Sequence, residues 1–191
     1  MCGIAGYRGP QPVEAARIDE CLALMWRRGP DFATHRRWRA NGDTTDLLFT
    51  RLSIIDLDPR ANQPLNCGTQ WMVCNGELYN YQELRRELEG AGHQFRTQSD
   101  VEVFVHWLDH EGLPGLDRCE GMWAFALYDE AADSLTLCRD RFAEKPLYVY
   151  RDASGLYFGS EVKFIATLLG RRLDVNIDHL RRYLVNGFRA L

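Results

Sequence analysis

The second residue of this 191-residue chain is a cysteine. A small residue at that position permits removal of an initiator methionine, which would leave Cys2 with a thiol and a free α-amine on one residue. A thiol is a strong nucleophile once ionised. An α-amine, with an ordinary pKa of about 7.7–8.0, accepts a proton near neutral pH. Nucleophile and base on the same residue need no separate histidine. Such a nucleophile must sit at a chain end held inside the fold, and the apolar "GIAGY" that follows is a candidate buried first strand. Taken alone, Cys2 is explained more simply as an accident of the start site, so the surrounding sequence has to decide.

The bulk properties narrow the field. The length fits one domain with room for a sizeable core. A hydrophobic fraction of 46% with 12% aromatics argues against disorder. The net charge of -4 comes without long runs of one sign, so no nucleic-acid partner is expected, and Arg36 to Arg39 reads as a solvated strand face. No apolar run approaches the ~20 residues of a membrane span, and no secretory n-region and h-region is visible. The expectation is a cytoplasmic chain with no membrane partner. The cysteines at 2, 21, 67, 74, 119 and 138 include no C-x-x-C pair. Free thiols are therefore expected rather than disulfides, and no metal site is expected. Neither G-x-x-x-x-G-K-[ST] nor G-x-G-x-x-G occurs.

The elements that must position Cys2 can be sketched from pattern. "THRRWRA", "DLLFTRLSIID" and "HQFRT" read as strands. "WMVCNGELYN" reads as a strand running into an Asn-Gly turn at Asn75–Gly76. "YQELRRELEGAG", with Leu84 and Leu88 four apart, is an amphipathic helix ended by glycine. Ser99, three residues before Glu102, is a capping-box start for the helix "SDVEVFVHWLDHEG". Strand pairs follow around "EAADS" and "DASG", then a helix ending at Gly170 and another beginning after Asp174. Strands in runs with grouped helices favour α+β over a doubly wound α/β fold.

The chain resembles the glutaminase domain of class II glutamine amidotransferases, above all that of glutamine-hydrolysing asparagine synthetases. The resemblance runs in order over nearly the whole chain: "MCGIAG", "RRGPD", "RLSIIDL", "QPL", "NGELYNY", "GHQFRTQSDVEV", "GMWAFALYD", "RDRF", "KPLY" and "GSEVK". It implies an Ntn-hydrolase four-layer αββα sandwich with two antiparallel sheets, and hydrolysis of L-glutamine to glutamate and ammonia through a Cys2 thioester. Arg51 would grip the glutamine α-carboxylate, with Leu52, Ser53, Ile54 and Ile55 lining the pocket partly through backbone groups. The Asn75 amide and the Gly76 N–H would form an oxyanion hole. Glu77 would lie beside the substrate amino group, and Asp100 would hold the α-ammonium. Arg28 and Asp31 would order the loop over the nucleophile, while Arg139 and Asp140 would form a buried pair.

The resemblance also implies a context. The amidotransferase domain would cover 2–191, with a core over 2–170 and a tail at 171–191 leading toward a synthetase domain that lies outside this sequence. No cofactor is expected for the glutaminase half. ATP and Mg would serve only the ammonia-accepting synthetase domain, met in cis or in trans. A non-catalytic glutamine-binding or synthetase-docking module is the alternative. Three positions depart from the family pattern: Arg27 and Phe49 stand where histidine is common, and Ala143 stands where glycine follows Arg-Asp-Arg-Phe. If that turn needs a positive φ, Ala143 costs about 1 kcal/mol.

Overall fold

The computed structural model describes residues 1–187. Residues 188–191, the end of the expected 171–191 tail, lie outside the described residues. In chain order the elements are β1 (Gly3–Gly9), α1 (Ala15–Met25), β2 (Phe32–Ala40), β3 (Asp43–Arg51), β4 (Leu65–Cys67), β5 (Gln70–Leu78), α2 (Tyr81–Gly90), α3 (Asp100–Glu111), β6 (Gly121–Asp129), β7 (Ser134–Arg139), β8 (Tyr148–Asp152), β9 (Gly155–Gly159), α4 (Val162–Leu169) and α5 (Ile177–Asn186). They form two antiparallel sheets, ordered β2-β3-β1-β9-β8 and β4-β5-β6-β7.

Period-2 alternation along the strands builds the layers. Ile4, Leu47, Phe49, Val73, Ala124, Ala126 and Phe158 face the space between the sheets. Their sequence neighbours turn outward. Ala5 and Leu48 pack with Cys21, Met25, Phe164 and Leu168 of α1 and α4. Met72, Cys74 and Phe125 pack with Leu84, Leu88, Phe104 and Leu108 of α2 and α3. The result is helices, sheet, sheet, helices, as the αββα expectation required. Phe49 thus fills the inter-sheet core, where its ring is fully buried.

Several local expectations need correction. Asn75–Gly76 is not a turn. It lies within β5, with Asn75 opposite Ala124 and Gly76 opposite Trp123. A long partner strand, Gly121–Asp129, overrides the dipeptide's turn preference. "HQFRT" is not a strand, because the N–H groups of Arg96 and Thr97 donate to the buried Glu102 carboxylate at 3.0 and 2.8 Å instead of to a neighbouring strand. For the same reason the capping box is only half made. Ser99 Oγ accepts from Val101 N at 3.2 Å, but Glu102 turns past it to the preceding loop. The strand in "DLLFTRLSIID" stops at Arg51, where Asp31 Oδ2 captures the Ser53 N–H at 2.7 Å and draws the chain out of the sheet. Arg36 to Arg39 is not simply solvated. Arg37 donates to the buried Asp46 at 2.6 Å, and Arg36 stacks 3.3 Å from the Trp71 ring centroid. Helix α1 was unanticipated, although Ile18, Cys21 and Met25 repeat at helical spacing and are buried. The three-residue β4 was also unanticipated.

Arg139 and Asp140 do not pair. Arg139 is exposed, while buried Asp140 accepts from the N–H groups of Phe142, Glu144 and Lys145 at 2.9–3.1 Å. That carboxylate folds the following loop tightly and sets Ala143 at φ +57°. The positive φ usually given to glycine is kept here despite the Cβ. A left-handed residue with a Cβ costs about 1–2 kcal/mol, and glycine returns about 0.4–1 kcal/mol of that through the unfolded chain. Ala143→Gly should therefore stabilise the domain by about 0.5–1 kcal/mol, seen as a higher denaturation midpoint. A lower midpoint would contradict this account of the loop. Among the described residues, no helix is long and apolar enough to cross a membrane.

Candidate active site

Strand β1 is the central strand of its sheet, flanked by β3 and β9. The chain end is therefore held inside the fold. Ile4 N donates to Ser160 Oγ at 3.1 Å and Ile4 O accepts from Ser160 N at 2.8 Å, locking the start of the strand. Cys2 emerges half-buried just above this lock. Its carbonyl accepts from Arg28 Nε at 3.0 Å, and Arg28 Nη1 bonds Glu161 Oε1 at 3.1 Å. Its sulfur accepts from Leu52 N at 3.4 Å. Arg28 and Asp31 both order the surroundings of Cys2, Arg28 through the Cys2 carbonyl and Asp31 through the Ser53 N–H.

Burial pushes the Cys2 thiol up from its ordinary value, against opposing pulls from the Leu52 N–H, the chain's N-terminal ammonium and Arg51. With Met1 in place, burial therefore favours the neutral thiol, and ionising it calls for a base.

Across the pocket from Cys2 lies the edge of β5. β4 pairs only as far as Met72, so beyond it this edge has no partner strand. Gln63 closes the first gap, its Oε1 accepting from Cys74 N at 2.6 Å and its Nε2 donating to Cys74 O at 3.2 Å. Asp100 Oδ2 closes the last, accepting from Leu78 N at 2.9 Å. In an antiparallel strand alternate residues turn both backbone groups to the same edge. Gly76, midway between Cys74 and Leu78, therefore presents its N–H on this open edge, at the pocket. A Cβ at Gly76 would lie 2.5 Å from Met122 O and 2.7 Å from Trp123 Cα, so only glycine lets β5 and β6 approach here.

Asn75 is 2% exposed, and its side-chain Nδ2 is buried with no hydrogen-bond partner. Leaving a buried donor unmade costs about 1–3 kcal/mol. The fold thus holds, in the pocket that Cys2 also lines, a donor that awaits an acceptor.

Of the residues expected from sequence, Cys2, Arg51, Leu52, Ile54, Ile55, Asn75, Gly76, Glu77 and Asp100 line this one pocket. Ser53 does not; its backbone is turned to Asp31. Asp100 is 5% exposed as the first residue of α3, and burial raises its pKa against the N–H groups of Leu78 and Val101. Arg51 is equally buried. Its Nη1 donates to Asp58 O at 3.2 Å and Asn62 Oδ1 at 2.7 Å, and its Nη2 donates to the carbonyls of Ile55 and Asp56. The guanidinium faces the pocket charged but with its terminal N–H groups already engaged.

A family model for the glutamine amidotransferase domain matches residues 1–190. This chain belongs to that family. The amidotransferase domain is 34% identical over 174 residues to asparagine synthetase [glutamine-hydrolyzing] 3 of Bacillus subtilis, covering 86% of this chain and 27% of that protein. It is 41% identical over 147 residues to asparagine synthetase B [glutamine-hydrolyzing] of Escherichia coli, covering 75% of this chain and 26% of that protein. The domain thus spans about a quarter of the length of these relatives. Among solved structures, it superposes with a TM-score of 0.69 on a glutamine phosphoribosylpyrophosphate amidotransferase from B. subtilis complexed with ADP and GMP. That match has 20% identity and covers 87% of this chain and 43% of the other. The fold is that of the Ntn hydrolases.

Sequence reading missed three polar residues of the amidotransferase pocket. Gln63, Ser99 and Lys145 all line it. Lys145 is only 8% exposed, and its place depends on the Asp140 loop. Gln63 reaches the site because a strand edge needs closing. Both residues open strings that carry the family resemblance, "QPL" and "KPLY", which marked their positions without assigning them a place in the pocket.

Proposed function

We propose that this amidotransferase domain hydrolyses L-glutamine through a γ-glutamyl thioester on Cys2, after removal of Met1. The observation that carries the proposal is the unpartnered Asn75 Nδ2 beside the Gly76 edge N–H, both residues lining the pocket of the half-buried Cys2. The free α-amine of Cys2 takes the thiol proton, directly or through a water, as the sulfur attacks the side-chain carbonyl carbon. The carbonyl oxygen becomes negative and is met by the Asn75 and Gly76 donors. The carbon–nitrogen bond breaks, and the amine returns the proton so that ammonia leaves. Water then attacks the thioester, releasing glutamate and restoring the thiol. No step calls for a metal or an organic cofactor.

Asp100 and Arg51 select the free amino acid by its two charged ends, with Glu77 beside the ammonium. For Arg51 to form a bidentate pair, the substrate carboxylate must displace loop carbonyls from its terminal nitrogens. The relatives' names support an ammonia-accepting synthetase partner, in cis or in trans, and ATP and Mg would belong to that partner. The test of the activity is direct. The purified chain with L-glutamine should release glutamate and ammonia in equal amounts. Saturable glutamine binding without turnover would instead identify a binding module.

Asp100 gives a pH signature. Its raised pKa means that it takes up a proton on acidification before an ordinary carboxylate does. Only the ionised form attracts an ammonium, so the KM for glutamine should rise on the acid side while kcat changes less. Asp100→Asn should raise KM at pH values where Asp100 is ionised, converge with wild type on the acid side, and abolish the acid-side rise. A variant with wild-type KM would remove Asp100 from substrate binding.

A further inference from the structure

Away from the Cys2 pocket, three side chains from separate parts of the chain converge on the outer helical layer. Cys67 ends β4, His93 follows α2, and His106 lies midway along α3. One donor atom from each lies within 4.8 Å of the other two. His93 Nδ1 and His106 Nδ1 face each other at 3.1 Å, and Cys67 Sγ is 3.4 Å from Asp109 Oδ2, one turn beyond His106 on the same face of α3. The spacing 67, 93, 106 fits no linear metal motif, so only the fold brings the cluster together.

We propose that Cys67, His93 and His106 bind a zinc ion, with solvent in the fourth position of a tetrahedral site. One sulfur and two imidazole nitrogens form a donor set suited to borderline-soft zinc, whereas magnesium and calcium take oxygen ligands. Zinc–nitrogen bonds of about 2.0–2.1 Å at a tetrahedral angle hold two nitrogens about 3.3–3.4 Å apart, close to the 3.1 Å found between the histidines. Without an ion, two Nδ1 atoms at that distance can share only one proton between them. As zinc binds, the Cys67 proton passes to solvent and the sulfur coordinates as thiolate. His106 is buried and packed against Phe95 with ring centroids 4.7 Å apart, while Cys67 and His93 are half-buried, so one side of the site is fixed and the other is open to entry.

The ion would tie β4, the segment after α2, and α3 together. Helix α3 also presents Asp100 to the pocket, but six residues of helix, about 9 Å, separate Asp100 from His106.

The test uses the full chain with Cys2→Ala, because an N-terminal aminothiol can itself chelate zinc. Metal-stripped, reduced protein is titrated with Zn2+ against a chromophoric competitor, and separately with Co2+ as a spectroscopic probe. The proposal expects one ion per chain, a thiolate-to-cobalt charge-transfer band, and the intense visible bands of four-coordinate cobalt. Cys67→Ser and His93→Gln should each weaken zinc binding by more than about 100-fold, and Cys67→Ser should lose the charge-transfer band. The rise in melting temperature that zinc gives the parent should vanish in both. Circular dichroism checks the folding of each variant. If a variant does not fold, the stoichiometry and cobalt spectrum of the parent decide alone. Absence of stoichiometric zinc binding, a six-coordinate cobalt spectrum without thiolate character, preference for copper over zinc with different ligands, or undiminished affinity in both folded variants would overturn the proposal.

Discussion

Cys2→Ala is expected to lower kcat for glutamine hydrolysis by more than about 10⁴-fold while leaving glutamine affinity nearly unchanged. In the proposed reaction the sulfur forms the covalent intermediate, and the other nucleophilic groups of the pocket are poor substitutes: the Cys74 thiol packs into the α2–α3 layer, where burial pushes its pKa up, and Ser99 Oγ caps α3. Asn75, also in the pocket, offers only an amide, which does not attack an amide carbon. Binding should survive because the expected carboxylate and ammonium contacts belong to Arg51 and Asp100, on other elements. The fold should survive as well, since Cys2 is only half-buried and the lock at Ile4 and Ser160 does not involve it. Glutamate release, calorimetric binding and a thermal melt together check this. A residual rate within tenfold of wild type would remove Cys2 from the chemistry.

Asn75→Ala should lower kcat by about 10²–10³-fold, and it should do so without destabilising the protein. The second half of this expectation separates catalysis from structure. A buried amide with no partner lowers stability. Replacing it with a methyl group removes that penalty, which offsets the small cavity left behind. The melting temperature of Asn75→Ala should therefore equal or exceed that of wild type, while its glutamine affinity on a Cys2→Ala background stays nearly constant. Asn75→Asp should also lose most of its kcat, because it places a carboxylate where negative charge develops in the transition state. A folded Asn75→Asp enzyme with near-normal kcat would rule out the oxyanion role. A strongly destabilised Asn75→Ala would instead mean that the amide has a structural partner.

What was legible in the sequence was local pattern and motif. The period-2 strands, the amphipathic run at Leu84 and Leu88, and the glycine stop at Gly170 all came from short-range rules. The pocket residues came from strings resembling a known family. What failed were places where tertiary structure overrules a local preference. Asn75–Gly76 has the composition of a turn, yet the cross-strand partner Trp123 holds it extended. The same correction explains the site, since an extended strand with an uncovered edge offers an N–H that a closed hairpin turn does not provide in the same way. "HQFRT" has strand composition, yet buried Glu102 claims its backbone donors. Ser99 and Glu102 have capping-box spacing, yet only the serine caps the helix. Gln63 and Lys145 lie in the strings "QPL" and "KPLY", but their pocket contacts, like the Cys67–His93–His106 cluster, join segments far apart in sequence that no single window contains.

The central claim is that the nucleophile and its base share one residue, and that this requires the chain to begin at Cys2. The most direct measurement compares two populations of the same chain, one processed to Cys2 and one with Met1 retained by blocking methionine removal during expression. Both are mixed with glutamine, quenched in acid within the first turnover, and examined by intact-mass and peptide-mapping spectrometry. The account predicts an added mass of glutamine less ammonia, located on Cys2, in the processed population alone, with turnover confined to that population. Full activity with Met1 still attached, or an adduct mapped to any other residue, would contradict it.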